Sequence, residues 1–300
     1  MKEVLRVLRE RGPMTGRELY ETVGLDVFPL WRFCRKSAEI TTRRVSKRYL
    51  RFDREVAGYA RLSPSLQREF LTYTVVGLRG DEDRIEERAR ALEEKIRQAS
   101  EEKLRLARKV AEKVVSRLPN KDTDIVLRDA CFIIGGDVPL GMAHTDPRPE
   151  PSTGKLVSGS DLDIVIITAM DFPEDIARAL DEEMYREKYR LLRGPHNRVE
   201  VDYLIKDLGR VEEQAKLRRF EDYVACKIIM ESRFLLGSRK LYSEVRALME
   251  RSSVPRKLRD LRRLAAKNRR RAEKTLLSRD EIMEEDMKLF ATTEEYGEIF

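Results

Sequence analysis

The feature that most restricts the architecture is the run from Asp81 to Leu118, DEDRIEERARALEEKIRQASEEKLRLARKVAEKVVSRL, which holds neither glycine nor proline. Ile85, Ala89, Leu92, Ile96 and Ala99 alternate four and three apart, and Leu104, Ala107, Ala111, Val114 and Leu118 resume the rhythm after a skip. That spacing predicts one long helix, about 57 Å long if continuous at 1.5 Å per residue. It reads as a connector packing on both neighbours. A homodimer seam and an ordinary intramolecular helix hairpin stay open as alternatives. Pro119-Asn120 closes it.

The rod sets two differently composed regions apart. Upstream, KEVLRVLRERG puts Val4, Leu5, Val7 and Leu8 on one helical face and stops at Gly12-Pro13. In TGRELYETVG, Thr15 is the expected N-cap, Glu18 its capping-box partner and Gly24 the stop. FPLWRFCRKSAEITTRRV reads as a third, basic helix, and RYLRFDREVAGYARLS as a hairpin turning at Gly58. These elements resemble a winged helix-turn-helix domain. Arg35, Lys36, Arg43, Arg44, Lys47 and Arg48 crowd its third helix and wing, with Arg32, Arg51 and Arg54 beside them and few acids between. Such a face would grip phosphates by releasing counterions; a merely solvated basic face is the alternative.

Downstream, DIVLRDACFIIGG reads as an apolar strand ending in a glycine pair, and LVSGSDLDIVIIT as a second strand. DFPEDIARALDEEMYREKYRLL reads as a helix capped by Asp171 with Pro173 in its first turn, and RVEVDYLI as a third strand. Strands alternating with helices make this an α/β unit. From about Leu208 the chain reads as helical, with a basic run at 256–271 and an acidic end.

Totals bound the rest. With 300 residues, the chain has room for two or three domains. Charged residues make up 38%, while Asn and Gln are scarce, a heat-adapted composition. The net charge of +7 is a mild pointer to a polyanionic partner. Cys34, Cys131 and Cys226 lie far apart and, with only His144 and His196, exclude a disulfide framework and a zinc site. No run spans a bilayer and the opening is no signal peptide, so no membrane partner and a cytoplasmic location are expected. P-loop, HExxH, GxSxG and GxGxxG motifs are missing.

What remains is SGSDLDIVII, two carboxylates at the mouth of a buried strand, where desolvation is expensive. Side chains two apart on a strand share a face, so Asp161 and Asp163 point together and repel unless a cation joins them. Magnesium, hard and oxygen-seeking, is the natural companion. Glu200 and Asp202 repeat the geometry on RVEVDYLI, and a third carboxylate from there would complete a two-metal site.

A strand ending in Ile134-Gly135-Gly136, then Gly159-Ser160-Asp161-Leu162-Asp163, then a strand bearing Asp202, resembles the DNA polymerase β-like nucleotidyltransferase superfamily across roughly residues 120–206. The resemblance implies an α+β fold with a small mixed β-sheet, an NTP substrate and two Mg²⁺ ions. It implies that Asp161 and Asp163 bind both metals and the triphosphate. Asp202 would bind the catalytic metal and help deprotonate the acceptor hydroxyl, with Glu200 as the alternative third ligand. Gly135, Gly136, Gly159 and Ser160 would approach the nucleotide. The spacer between glycines and aspartates is longer than the family pattern. It is either a surface loop or a lid in which His144, Arg148 and Lys155 reach phosphate.

The expected domains are 1–78 winged-helix-like, 79–119 connector, 120–207 catalytic and 208–300 helical. The expected function is transfer of NMP to a hydroxyl, on a nucleic acid such as RNA or tRNA. Small-molecule or protein nucleotidylation is the enzymatic alternative. A DNA-binding regulator or toxin–antitoxin component keeping the fold without turnover is the non-enzymatic one.

Overall fold

The computed structural model describes residues 1–52, 60–149, 154, 156–194, 198–279, 281 and 283–292. The expected Gly58 turn, Arg54 and Lys155 lie outside them. The chain is α+β, with small sheets. It divides into two compact units: residues 1–96 with the described residues from 261 onward, and residues 97–260. Among the described residues, no helix is long and apolar enough to cross a membrane.

In the first unit, α1 (Lys2–Arg11) and α2 (Gly16–Val23) follow the sequence pattern, with the short strand β1 (Met14–Thr15) between them. The Thr15 hydroxyl accepts from the Glu18 amide at 3.2 Å, and the Glu18 carboxylate accepts from the Thr15 amide at 2.7 Å. Gly24, at φ +64, ends the helix in a left-handed conformation that glycine adopts without strain. α3 (Val27–Lys36) is shorter than expected. Beyond Ser37 the chain extends as β2 (Ile40–Arg44), so Arg43 and Arg44 stand on a strand, not on a third basic helix. The β-branched run Ile40-Thr41-Thr42 explains this, because such side chains are restricted in a helix and pack well on a pleated surface. β3 (Tyr49–Phe52) and β4 (Ala60–Ser63) pair antiparallel, as expected of the hairpin. α4 (Leu66–Tyr73) leads into β5 (Thr74–Leu78), which lies between β1 and β2. Then α5 (Glu82–Val115) begins.

The core of this unit gathers Val4, Leu8, Leu19, Leu30, Trp31 and Phe70 with Leu276, Phe290 and Ala291 from the far end of the chain. Trp31 and Phe290 pack with ring centroids 5.2 Å apart and planes inclined at 52°. Beside that core lies a buried charge network. Arg48 donates to both oxygens of Glu69 at 2.7 Å and to Glu273 at 2.8 Å. Arg269, buried, donates to Glu273 at 3.2 Å and to the Pro64 carbonyl at 2.9 Å, with Glu69 3.5 Å away.

Burial alone would raise the Glu69 pKa, but Arg48, Arg269 and Arg44 more than offset it and hold the carboxyl below its ordinary value. Its stabilisation is therefore fully present above the unfolded pKa of about 4.3 and is lost as pH falls through the lower folded value. Glu69→Gln, which strands buried guanidinium groups, is expected to cost about 3–5 kcal/mol at pH 7 and to flatten the acid limb of the stability curve. Denaturant unfolding at pH 7 and pH 3 measures both.

The second unit begins within α5, whose later half buries Ala107, Val110, Ala111 and Val114. α6 (Asn120–Asp129) replaces the first half of the expected strand DIVLRDACFIIGG. Pro119 opens it, Asp122 suits its first turn and Arg128 its last. Val126 is its one fully buried residue, so the helix needs only a single contact face. The strand proper, β6 (Ala130–Ile134), is buried at every position.

After α7 (Asp137–Leu140), β7 (Pro147–Pro149) and β8 (Leu156–Ser158) form a hairpin. β9 (Leu162–Thr168), α8 (Glu174–Leu192) and β10 (Val201–Asp207) follow. Pro173 caps α8 with no side-chain hydrogen bond, so Asp171 does not hold the expected role. α9 (Leu208–Gln214), α10 (Phe220–Glu231), β11 (Arg233–Gly237), α11 (Arg239–Arg251), α12 (Val254–Ser278) and α13 (Glu284–Phe290) complete the described chain.

The region after Leu208 is thus not wholly helical. The short apolar run FLL finds a sheet edge beside Cys131–Ile134 and joins it antiparallel. The sheet runs β10-β9-β6-β11, with β9 and β10 parallel and the other pairs antiparallel. Side chains alternate between its faces. Phe132, Ile134, Leu162, Ile164, Ile166 and Val201 pack with α5, α6 and α8. Cys131, Ile133, Val165 and Ile167 pack with α9, α10 and α11. Burying each such side chain contributes roughly 1.5–3 kcal/mol, so the centre of the sheet is held on both sides.

Candidate metal centre

The site grows from the parallel pairing of β9 and β10, whose register sets Asp202 opposite Asp163. Val201 and Leu162 point into the α5/α8 face of the sheet, which turns their neighbours Asp202 and Asp163 to the other face. Asp161 stands one residue before β9 on the side of Asp163. One carboxylate oxygen from each of Asp161, Asp163 and Asp202 lies within 4.8 Å of the others, and all three residues are half-buried.

The glycine pair serves this cluster directly. The Gly135 amide donates to the Asp163 carbonyl at 2.8 Å, which fixes the end of β6 against the start of β9. Gly136 has φ +70 and ψ −146, a conformation open essentially to glycine alone. A Cβ there would lie 2.1 Å from a carboxylate oxygen of Asp163. Both the backbone angle and the space around Asp163 therefore demand glycine. The pair lies against the aspartate, a more immediate role than the phosphate approach expected from sequence.

Glu200 is drawn elsewhere. Arg148, on β7, donates from Nη2 to Glu200 at 2.6 Å and from Nε to the Gly159 carbonyl at 3.0 Å. The same Nη2 lies 3.8 Å from Asp161. Burial raises the Glu200 pKa against the pull of Arg148, and the charges of Asp161 and Asp202 add to the rise. Of the two acids on RVEVD, Asp202 is the one that joins the cluster.

The long spacer is tied into the site. Gly159, at φ +55, passes so close to His144 that a Cβ would sit 1.8 Å from its carbonyl oxygen. Ser160 is buried and its hydroxyl is committed inward, accepting from the His144 amide and donating to Asp137, both at 3.2 Å.

Two lysines complete the surroundings, and the motif reading named neither. Lys103, on α5, is buried and donates to the Ser158 carbonyl at 2.8 Å. Burial pushes its pKa down to about 8, against the pull of Asp161 and Asp137. It carries a legible signal, for it lies four residues from both Ala99 and Ala107 on the buried stripe, at the skip in the rhythm. Lys188, on α8, donates to Asp202 Oδ1 at 2.9 Å. Burial would lower its pKa, but Asp202 and Glu200 outweigh burial and raise it. A lysine in a run as charged as EEMYREKYR carries no sequence signal of this role.

Of the expected phosphate-gripping residues of the first unit, Arg35, Arg44 and Arg48 line one cavity of about 270 Å³, and Lys36, Arg43 and Lys47 are not part of its lining. Arg35 and Lys36 are exposed in the last turn of α3. Lys47 is exposed, Arg43 pairs with Glu86 at 2.6 Å, and Arg44 lies 3.8 Å from Glu69. Arg48 is spent on Glu69 and Glu273 within the buried network.

Three carboxylates with no nitrogen or sulfur donor make a hard-oxygen set that suits Mg²⁺ or a similar cation. Half-burial limits competition from water while leaving a path in. The residues fit the ion. No protein-family model, curated protein or solved structure matches the chain.

Two outcomes follow for ion binding. Gly136→Ala, which drives a methyl group onto Asp163, is expected to weaken Mn²⁺ binding at least tenfold in a paramagnetic titration while the protein stays folded. Lys188→Met removes the cation competing for Asp202, and in the same titration should tighten Mn²⁺ binding several-fold.

Proposed function

We propose that the Asp161/Asp163/Asp202 cluster is the catalytic centre of a nucleotidyltransferase. It moves a nucleoside monophosphate from an NTP to an acceptor hydroxyl, and pyrophosphate leaves. The observation that carries the reading is the convergence of three carboxylates from the mouths of two parallel strands, beside a glycine pair that closes the neighbouring strand. This is the arrangement that the resemblance to the DNA polymerase β-like nucleotidyltransferases implies. The four-stranded mixed sheet with helices on both faces supports the same assignment. Three helices, a three-stranded sheet and a hairpin in the first unit support reading its N-terminal part as winged-helix-like.

In this assignment Asp161, Asp163 and Asp202 would hold two Mg²⁺ ions, which would supply charge neutralisation for phosphoryl transfer and activation of a hydroxyl. The protein's own groups do the positioning. Asp202, whose side chain is 45% exposed against 36% for Asp161, would face the acceptor and accept its proton. Lys188 holds the Asp202 carboxylate in place, and Arg148 fixes the approach of residues 159–161 to β10 through Gly159 and Glu200. Gly136 keeps the space beside Asp163 clear.

The test is incubation with α-labelled NTPs, MgCl₂ and separate pools of RNA, protein and small hydroxylated acceptors. Wild-type protein is expected to label one pool. Asp163→Asn should lower that rate by about a thousandfold, or roughly 4 kcal/mol in barrier, with unfolding temperature unchanged or raised because carboxylate repulsion is relieved. Full labelling by Asp163→Asn would remove the assignment.

A further inference from the structure

The geometry points to a nucleic-acid-binding surface on α12 from Leu261 onward, the part of that helix that belongs to the first unit. This surface does not depend on the transfer chemistry; where that reading holds, it supplies the class of acceptor.

Positive charge is concentrated on this helix. α12 carries ten Lys and Arg against Asp260 and Glu273, a net charge of +8, whereas the whole chain carries +7. The other long helix, α5, carries ten cations and nine acids over 34 residues. A heat-adapted chain builds its surface helices from mixed ion pairs, and α5 follows that habit. α12 departs from it.

The positions are ordered as well as numerous. At 100° per residue, Arg263, Lys267, Arg270 and Lys274 fall on one narrow stripe, one cation per turn of about 5.4 Å. All four are exposed. Ala265, Arg269, Ala272 and Leu276 fall on the opposite side and are buried. Glu273, the one acid from 261 to 278, is spent inward on Arg48 and Arg269. Like charges three and four residues apart destabilise a helix, so the stripe works against the fold that bears it.

A repeating row of cations is complementary to a polymer whose negative charges also repeat, and neutralising each phosphate releases a counterion. An anionic membrane fits less well. Interfacial helices bury an apolar face in the lipid, and here that face is already packed into the unit. Leu264 is the one large apolar side chain exposed between 261 and 274.

The test uses the full-length protein and a fluorescein-labelled single-stranded 20-mer RNA, with anisotropy read from 50 to 300 mM KCl. For wild type, affinity should fall steeply with salt. Replacing Arg263, Lys267, Arg270 and Lys274 with Gln should weaken binding at least tenfold at 100 mM and reduce the log–log slope by about 3, at roughly 0.7 per phosphate contact. A matched variant with Gln at Arg90, Lys95, Arg105 and Lys109 of α5 should keep the wild-type slope. The double variants R263Q/K267Q and R270Q/K274Q should each take about half the change, which covers failure of the quadruple variant to fold.

Equal losses in the α5 and α12 variants, or an unchanged slope in the α12 variant, would overturn the proposal. So would binding to vesicles of 30% anionic lipid with no binding to RNA. RNA binding with the expected slopes but no NMP transfer would leave this surface standing and sink the transferase reading instead.

Discussion

Like charges held within a few ångströms of one another are the constraint around which the second unit is organised. Parallel pairing of β9 with β10 forces Asp163 and Asp202 side by side, and the residue before β9 adds Asp161. Such a cluster is tolerable only because its surroundings supply positive charge. Lys188 reaches Asp202 from α8, Arg148 reaches toward Asp161 from an inserted hairpin, and buried Lys103 lends its field from α5. Each of these cations comes from a different element. The helix, the hairpin and the rod are therefore all fastened to the same few cubic ångströms by electrostatics as well as by apolar packing.

The same logic operates differently in the first unit. There Glu69 and Glu273 are enclosed by Arg48 and Arg269, and the charges are nearly spent on one another. A network of this kind is mostly self-neutralising, and its Arg48, Glu69 and Glu273 also line a cavity of about 270 Å³. The carboxylate cluster has more negative charge than its neighbours cancel and is half open to solvent. α12 is the reverse case, with cations in excess and, from 261 to 278, its one acid turned inward. Surplus charge of either sign, ordered in space, separates a candidate site from a structural ion-pair network.

Much of this was legible in particular residues. The capping box of Thr15 and Glu18, the glycine stop at Gly24 and the long stripe of α5 are local patterns, and local patterns survive into the structure because the backbone itself enforces them. Asp161 and Asp163 could be paired on one face from the two-residue period of a strand. The strand assignment at 124–129 failed because Asp-Ile-Val-Leu suits a strand locally, while the contacts of Val126 decided for helix. The helical reading of 37–44 failed for the opposite reason, since β5 offered the β-branched run Ile40-Thr41-Thr42 a partner lying more than thirty residues away. β11 was missed because a three-residue apolar run gains definition only from the sheet edge it meets.

The amino-acid sequence by itself determined the ingredients: which carboxylates exist, which share a face, where glycines pair and where positive charge accumulates. These follow from covalent geometry and local periodicity. Only the tertiary structure decided that Asp202 rather than Glu200 closes the cluster, because Arg148 arrives from a distant hairpin to take Glu200. It alone brought Lys103 and Lys188 to the site and placed α12 from Leu261 onward in the N-terminal unit, with Arg263, Lys267, Arg270 and Lys274 outward. Those outcomes depend on contacts between residues tens to hundreds of positions apart, and no local periodicity carries information over that distance.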